Sequence, residues 1–111
     1  QGHQPRLLRL HLETARHDRV GMITVTGCLI AADSIEADLI RSHLPEHLRL
    51  SRAEPGCLSF NVCPTDDPLV WRLDESFTDR AAFDAHQART RASAWYRATA
   101  HLKREFRISG Q

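Results

Sequence analysis

Among the side chains able to do chemistry, His86 comes first, because an imidazole titrates near neutrality and can take and return a proton at physiological pH. It follows Phe83 on the core-side stretch of a helix, where the alternative is a buried histidine bonded to backbone. Glu75 alternates onto one strand face with Trp71, Leu73 and Phe77. A carboxylate on an apolar face needs an arginine or histidine partner, so a structural ion pair is the expected role and a part in catalysis the alternative. Trp71 on that face offers a flat wall for an aromatic ring, and core packing explains it equally well. Asn61 shares a face with Ser59, opposite Leu58, Phe60 and Val62; its amide is placed to hold a substrate oxygen, to meet solvent or to bridge two subunits.

Other candidates carry less. Arg89 and Arg91 stand where a second helical segment begins, and solvated surface cations are expected there, with contact to a substrate anion as the alternative. His43 and His47 have the i, i+4 spacing that can put two imidazoles on one helix face for a metal. Pro45 between them disturbs that geometry and no third ligand is evident, so surface histidines and no metal site are expected. Cys28, Cys57 and Cys63 form an odd set without the short paired spacings of zinc or dithiol sites, which predicts reduced, half-buried core residues.

The elements that must position these groups follow from periodicity. Residues 22–31, MITVTGCLIA, are β-branched and apolar and predict a strand; Asp33, with Glu36 three residues later, then caps a helix. Ile35, Leu39, Ile40, Leu44 and Leu48 fall on one stripe of that helix, and Pro45 is expected to kink or split it. After the Pro55-Gly56 loop signal, residues 57–63 alternate as a second strand, residues 64–68 form a polar turn, and residues 69–77 complete an antiparallel hairpin. Thr78 or Asp79 caps the next helix, which opens with Ala81, Ala82, Phe83 and Ala85 and continues with a break past Ala92 and Trp95 toward Leu102. Phe106 and Ile108 alternate in a last strand. The order is strand, helix, strand, strand, helix, strand, an α+β class with the ferredoxin-like split arrangement.

Composition bounds the rest. A chain of 111 residues has the size of one small domain. Residues 22–111 make up that domain, and residues 1–21 form an amino-terminal extension. Its first three residues look like a tag remnant, and the extension reads as a half-buried strand on Leu8, Leu10 and Leu12 or a short helix over residues 6–15. Fifteen basic residues, fourteen of them arginine in the manner of a GC-rich bacterial genome, nearly balance fourteen acidic ones, giving a net charge of +1. No basic run exceeds two residues, so neither nucleic acid nor an anionic membrane is an expected partner. No apolar run is long enough for a membrane span, and no secretory signal precedes the domain, so a cytoplasmic location is expected. Apolar residues on both faces of the first strand (Ile23, Val25 and Leu29 against Met22, Cys28 and Ile30) predict a homodimer formed through the sheet face that the helices leave bare.

Residues 54–60, EPGCLSF, and residues 71–87, WRLDESFTDRAAFDAHQ, carry a family resemblance. Gly56, Cys57 and Leu58 leading to Phe60, then Glu75 and Phe77 at the end of the next strand, then Ala81, Ala82 and Ala85 ending in His86, resemble the antibiotic biosynthesis monooxygenase domain family. These are small proteins with a dimeric α+β barrel, and they include quinol monooxygenases. The likeness covers residues 22–108. It departs from the family where many relatives place a second histidine and a phenylalanine and this chain has Arg89, Thr90 and Arg91. The extension is also outside the usual domain, where it could cover the pocket or the dimer edge.

The resemblance implies oxidation of a quinol or polycyclic phenol by dioxygen with no flavin, haem or metal cofactor. A phenolic proton is removed, the electron-rich anion passes an electron to dioxygen, and the two recombine. In that scheme His86, Asn61 and Glu75 are the catalytic candidates, and Trp71, Phe60, Phe83 and Arg91 bind the aromatic substrate. Two further readings share the fold. Haem degradation in relatives uses a first-strand asparagine where Gly27 falls here, which disfavours it. A dimeric small-molecule binding or sensor module would keep the pocket without the chemistry.

Overall fold

A computed structural model describes residues 21–110. The strand or helix expected in the extension lies outside the described residues.

Four strands, β1 (Ile23–Ile30), β2 (Cys57–Pro64), β3 (Val70–Phe77) and β4 (Lys103–Gly110), form one antiparallel sheet in the order β2-β3-β1-β4. Helix α1 (Ser34–Arg52) links β1 to β2, and α2 (Arg80–Arg91) with the short α3 (Ala94–Thr99) links β3 to β4. This is the α+β, ferredoxin-like split β-α-β-β-α-β arrangement.

Local chemistry sets the helix ends. Asp33 caps α1 by accepting from the Glu36 N–H at 2.9 Å, and Glu36 Oε1 reaches back to accept from the Ala32 N–H at 2.8 Å. Asp79, rather than Thr78, caps α2, accepting from the Ala82 N–H at 2.8 Å. The hydroxyl of Ser93 donates to the Thr90 carbonyl at 2.6 Å and accepts from the Tyr96 N–H at 3.2 Å, which ends one helical run and starts α3. That break turns Trp95 inward.

Two expectations for α1 are corrected. Pro45 does not split it, because Pro45 and the carbonyl-bearing Arg41 one turn back both lie on the exposed side, where water can satisfy the freed oxygen. Its buried stripe runs through Ala37, Ile40, Leu44, His47 and Ser51, while Ile35 is 71% exposed.

Sheet alternation sends Ile23, Val25, Leu29, Phe60, Trp71 and Phe77 toward the helices, where they are buried. The opposite face is mixed, with Cys28 and Ile30 of β1 on it as expected and polar residues around them. Thr24, Thr26, Arg72, Asp74 and Ser76 share it, and the hydroxyls of Ser59 and Ser76 meet across β2 and β3 at 2.6 Å. Apolar character there is confined to a corner at Cys28, Ile30 and Val70. Cys28 and Cys57 are partly buried and Cys63 is exposed; all three are free thiols.

Two glycines permit close approaches. Gly27 has φ of 149°, and a Cβ there would lie 2.0 Å from the Glu105 carbonyl oxygen of β4. Gly56 lies against α2, where a Cβ would sit 2.2 Å from that of Ala82. The second contact matters for function, because it brings the loop after α1 against the helix that carries His86.

Candidate active site

A cavity of about 370 Å³ opens between the helix-covered face of the sheet and all three helices. Val25, Leu29, Leu73 and Phe83 contribute apolar wall, while the exposed Tyr96, Phe106 and Ile108 line it as well. Such a volume suits a small aromatic molecule. The polar groups in the wall are few: His47, Glu75, His86, Gln87, Thr90, Arg91 and Arg104.

His86 is held from behind. Its Nδ1 lies 2.8 Å from Oε1 of Glu54, whose Oε2 accepts from Nε of Arg89 at 2.5 Å. Nη2 of Arg89 in turn donates to the Ser51 hydroxyl at 2.9 Å. A carboxylate can only accept, so the network assigns the proton to Nδ1 and leaves Nε2 as the basic nitrogen. Nε2 lies 3.4 Å from the Thr90 hydroxyl and 4.0 Å from Oε1 of Glu75. Burial pushes His86 below its ordinary value, and Arg89 adds to this, against the raising effect of the Glu54 hydrogen bond and charge.

Glu75 is 6% exposed, and burial, with the Glu54 and Asp74 charges adding, pushes its carboxyl up to about 8. Near neutral pH it is a protonated acid beside a neutral imidazole. The structural ion pair expected of it is therefore corrected: the 4.0 Å approach joins two neutral groups.

His47 is the second imidazole. It is 5% exposed, stacked face to face on Trp95 with centroids 4.8 Å apart, and set edge-on to Phe60 at 5.2 Å. Its centroid lies 5.9 Å from that of His86. Burial first, then the charges of His86, Arg89 and Arg104, pushes it down to about 3, so it stays neutral. The expected surface histidine is thus a cavity wall, because position 47 continues the Ile40 and Leu44 stripe. His43 points elsewhere and is partly exposed, and no cluster of three metal-ligating side chains occurs among the described residues.

Of the residues proposed from sequence, His86, Glu75, Phe83 and Arg91 meet in the cavity wall. Phe60 lies behind it, 5.2 Å from both imidazole centroids. Trp71 is a buried core residue whose ring lies 5.7 Å under the Arg41 guanidinium; the flat wall is supplied by Trp95. Asn61 is on the other face of β2, exposed, its Oδ1 accepting from Nη2 of Arg52 at 3.2 Å, so it is not brought to the site. The parity of β2 requires this, since Phe60 and Val62 on either side both point inward. Arg89 is only partly exposed; its guanidinium pins Glu54, and its Nη1 is buried with no partner among the described residues.

Four residues had drawn no functional assignment: Glu54, His47, Trp95 and Arg104. Arg104 donates from Nη1 to the Thr99 carbonyl at 2.7 Å and from Nη2 to its hydroxyl at 3.0 Å. It places a fixed cation beside the cavity.

The family model of antibiotic biosynthesis monooxygenases matches residues 22–98. Rv0793 from Mycobacterium tuberculosis is 23% identical with a TM-score of 0.65, the alignment covering 81% of this chain and 94% of that one. A mutant of SnoaB, a cofactor-independent oxygenase from Streptomyces nogalater, is 15% identical with a TM-score of 0.66 over 82% of this chain and 93% of its own. PA3566 from Pseudomonas aeruginosa is 19% identical with a TM-score of 0.64 over 82% and 94%. No curated protein matches the chain significantly in sequence. Among the described residues no helix is long and apolar enough to cross a membrane.

Proposed function

The chain belongs to the antibiotic biosynthesis monooxygenase family, and from that premise we propose that it oxidises a quinol or polycyclic phenol with dioxygen, using no cofactor. The observation that carries this reading is the base and acid pair in an apolar cavity: Nε2 of His86, its tautomer fixed by Glu54, faces the protonated carboxyl of Glu75 at 4.0 Å.

In the proposed reaction the aromatic rings lie between Trp95 and the apolar sheet wall. Nε2 of His86 takes the phenolic proton, and the anion formed is electron-rich enough to pass one electron to dioxygen. The two radicals recombine as a carbon-bound peroxide; its outer oxygen takes a proton from Glu75 or His86, the hydrogen on the peroxide-bearing carbon leaves as a proton, and the O–O bond breaks so that water departs and a carbonyl remains. All four electrons that reduce dioxygen come from the substrate, which is oxidised to the quinone level, so no external reductant is consumed. Glu75, protonated because it is buried, supplies its proton without a charged acid having to be desolvated. Arg91 and Arg104 bias the site toward an anionic intermediate.

The SnoaB likeness supports this chemistry at the level of fold and family. A homodimer through the uncovered sheet face is part of the proposal, and sedimentation equilibrium tests it directly. A monomer at enzyme concentrations far above those of the assay would overturn that part.

The experiment for the reaction is oxygen uptake by metal-chelated, flavin-free protein with reduced naphthoquinols and anthrone-like phenols, corrected for autoxidation. Protein-dependent uptake with quinone formation is the expected result. Tight binding across the panel without uptake would overturn it and leave a binding or sensor module.

A further inference from the structure

His47 has no place in the proton path above, yet it reaches the cavity with only 5% of its surface exposed. Its Nδ1 is buried with no hydrogen-bond partner among the described residues. Buried ring nitrogens are ordinarily satisfied, so this unpaired one restricts which tautomer the ring can hold. The ring cannot swing away to find water: Trp95 lies parallel to one face at 4.8 Å with only 5° between planes, and Phe60 meets it at 82°.

The tautomer follows from the same enclosure. A proton on Nδ1 would be a buried donor without an acceptor, which proteins avoid more strictly than an unpaired lone pair. The proton therefore belongs on Nε2, where a molecule in the cavity can accept it. His86 has the opposite arrangement, because Glu54 fixes its proton on Nδ1 and leaves Nε2 as an acceptor, met only by the Thr90 hydroxyl at a long 3.4 Å. Two imidazoles with centroids 5.9 Å apart and planes tilted by 45° thus offer one donor and one acceptor to the same space.

We propose that Nε2–H of His47 donates a hydrogen bond to the hydroxyl oxygen whose proton His86 accepts, so that the two histidines together select a phenolic or enolic substrate and His47 holds the oxyanion formed. This rests on the reading of His86 as the base. A neutral imidazole serves here better than a cation. It stabilises the developing charge without binding the anion so tightly that its electron is withheld from dioxygen.

Binding of 1-naphthol and of naphthalene to the full chain, followed by isothermal titration calorimetry, separates this role from packing. In His47→Phe, which keeps a ring against Trp95, naphthol affinity falls about tenfold, the loss of one well-placed hydrogen bond, while naphthalene affinity is unchanged. His47→Gln, with its amide N–H near the Nε2 position, recovers most of the loss. Equal effects on both ligands, no effect on either, or no binding of naphthol to the unaltered protein would overturn the proposal. Nitrogen-15 spectra of the unaltered protein give a check that needs no variant: His47 must appear as the Nε2–H tautomer, and its Nε2 signal must move on adding naphthol. A lost naphthol preference with oxygen uptake absent throughout would keep the donor and discard oxidation. An unchanged preference in His47→Phe with uptake present would do the reverse.

Discussion

His86 and Glu54 are 32 positions apart in sequence, yet Nδ1 of one lies 2.8 Å from Oε1 of the other, so the packing of α2 on the loop after α1 also fixes the base. Gly56 makes that packing possible by letting the loop approach Ala82. Fold and proton inventory are thus set by one contact.

Replacing His86 by glutamine removes the lone pair that faces the cavity while keeping a polar group of similar reach. Oxygen uptake with the best quinol should fall by about 10²-fold or more, the usual contribution of a positioned base. Steady-state rates above the autoxidation background measure it. If turnover survives intact, His86 is not the base.

Glu54→Gln tests the tautomer without touching the cavity wall. Its amide can donate to Nδ1, which would move the imidazole proton to Nε2 and leave no base facing the substrate. The expected outcome is a fall in kcat on the order of 10²-fold with KM nearly unchanged, because the group touches no substrate. A rise in KM alone would mean that Glu54 acts on cavity shape instead.

Much of this site was legible in the sequence, and the rest was hidden for identifiable reasons. Alternation and capping residues such as Asp33 and Asp79 marked the elements, and His86, Glu75 and Phe83 were placed on inward faces by periodicity alone. Glu54 was not legible as a site residue, because its role depends on a loop returning to α2. His47 was readable in principle from its spacing to Leu44 and Ile40, but Pro45 obscured it by suggesting that the helix ends there. Trp71 and Trp95 both sit on apolar faces, and only tertiary depth decides which one lines the cavity. Asn61 was assigned a catalytic part despite a strand parity that turns it away.

Gly27→Ala should lower the melting temperature by several degrees while leaving secondary structure otherwise intact. The backbone there has φ of 149°, and a Cβ would lie 2.0 Å from the Glu105 carbonyl oxygen, so β1 and β4 must part to admit it. Strain of this kind costs on the order of 1–3 kcal/mol. A melting temperature unchanged in Gly27→Ala would show that the two strands are less closely coupled than this geometry implies.

Stability should depend on pH in two opposed ways, with the sign set by which state binds the proton. Glu75 is pushed up to about 8 from an ordinary 4.5, so between those values the folded state holds a proton that the unfolded chain releases. Its contribution is full below pH 4.5 and is lost as the pH rises toward 8. His47 is pushed down to about 3 from 6.5, and His86 shifts in the same direction. Their contribution is full above pH 6.5 and is lost as the pH falls, because the unfolded imidazoles take protons that the buried ones refuse. From pH 4.5 to 6.5 Glu75 and His47 oppose one another, and the His86 contribution leaves the urea midpoint rising gently with pH. It should fall on the alkaline side by the equivalent of a few kcal/mol at most, a bound set by the size of the Glu75 displacement. Glu75→Gln abolishes that alkaline fall while leaving the acid one in place. Parallel urea midpoints for the unaltered protein and Glu75→Gln from pH 6.5 to beyond pH 8 would mean that Glu75 is ionised in the folded state, and the acid assigned to it in the reaction would have to come from elsewhere.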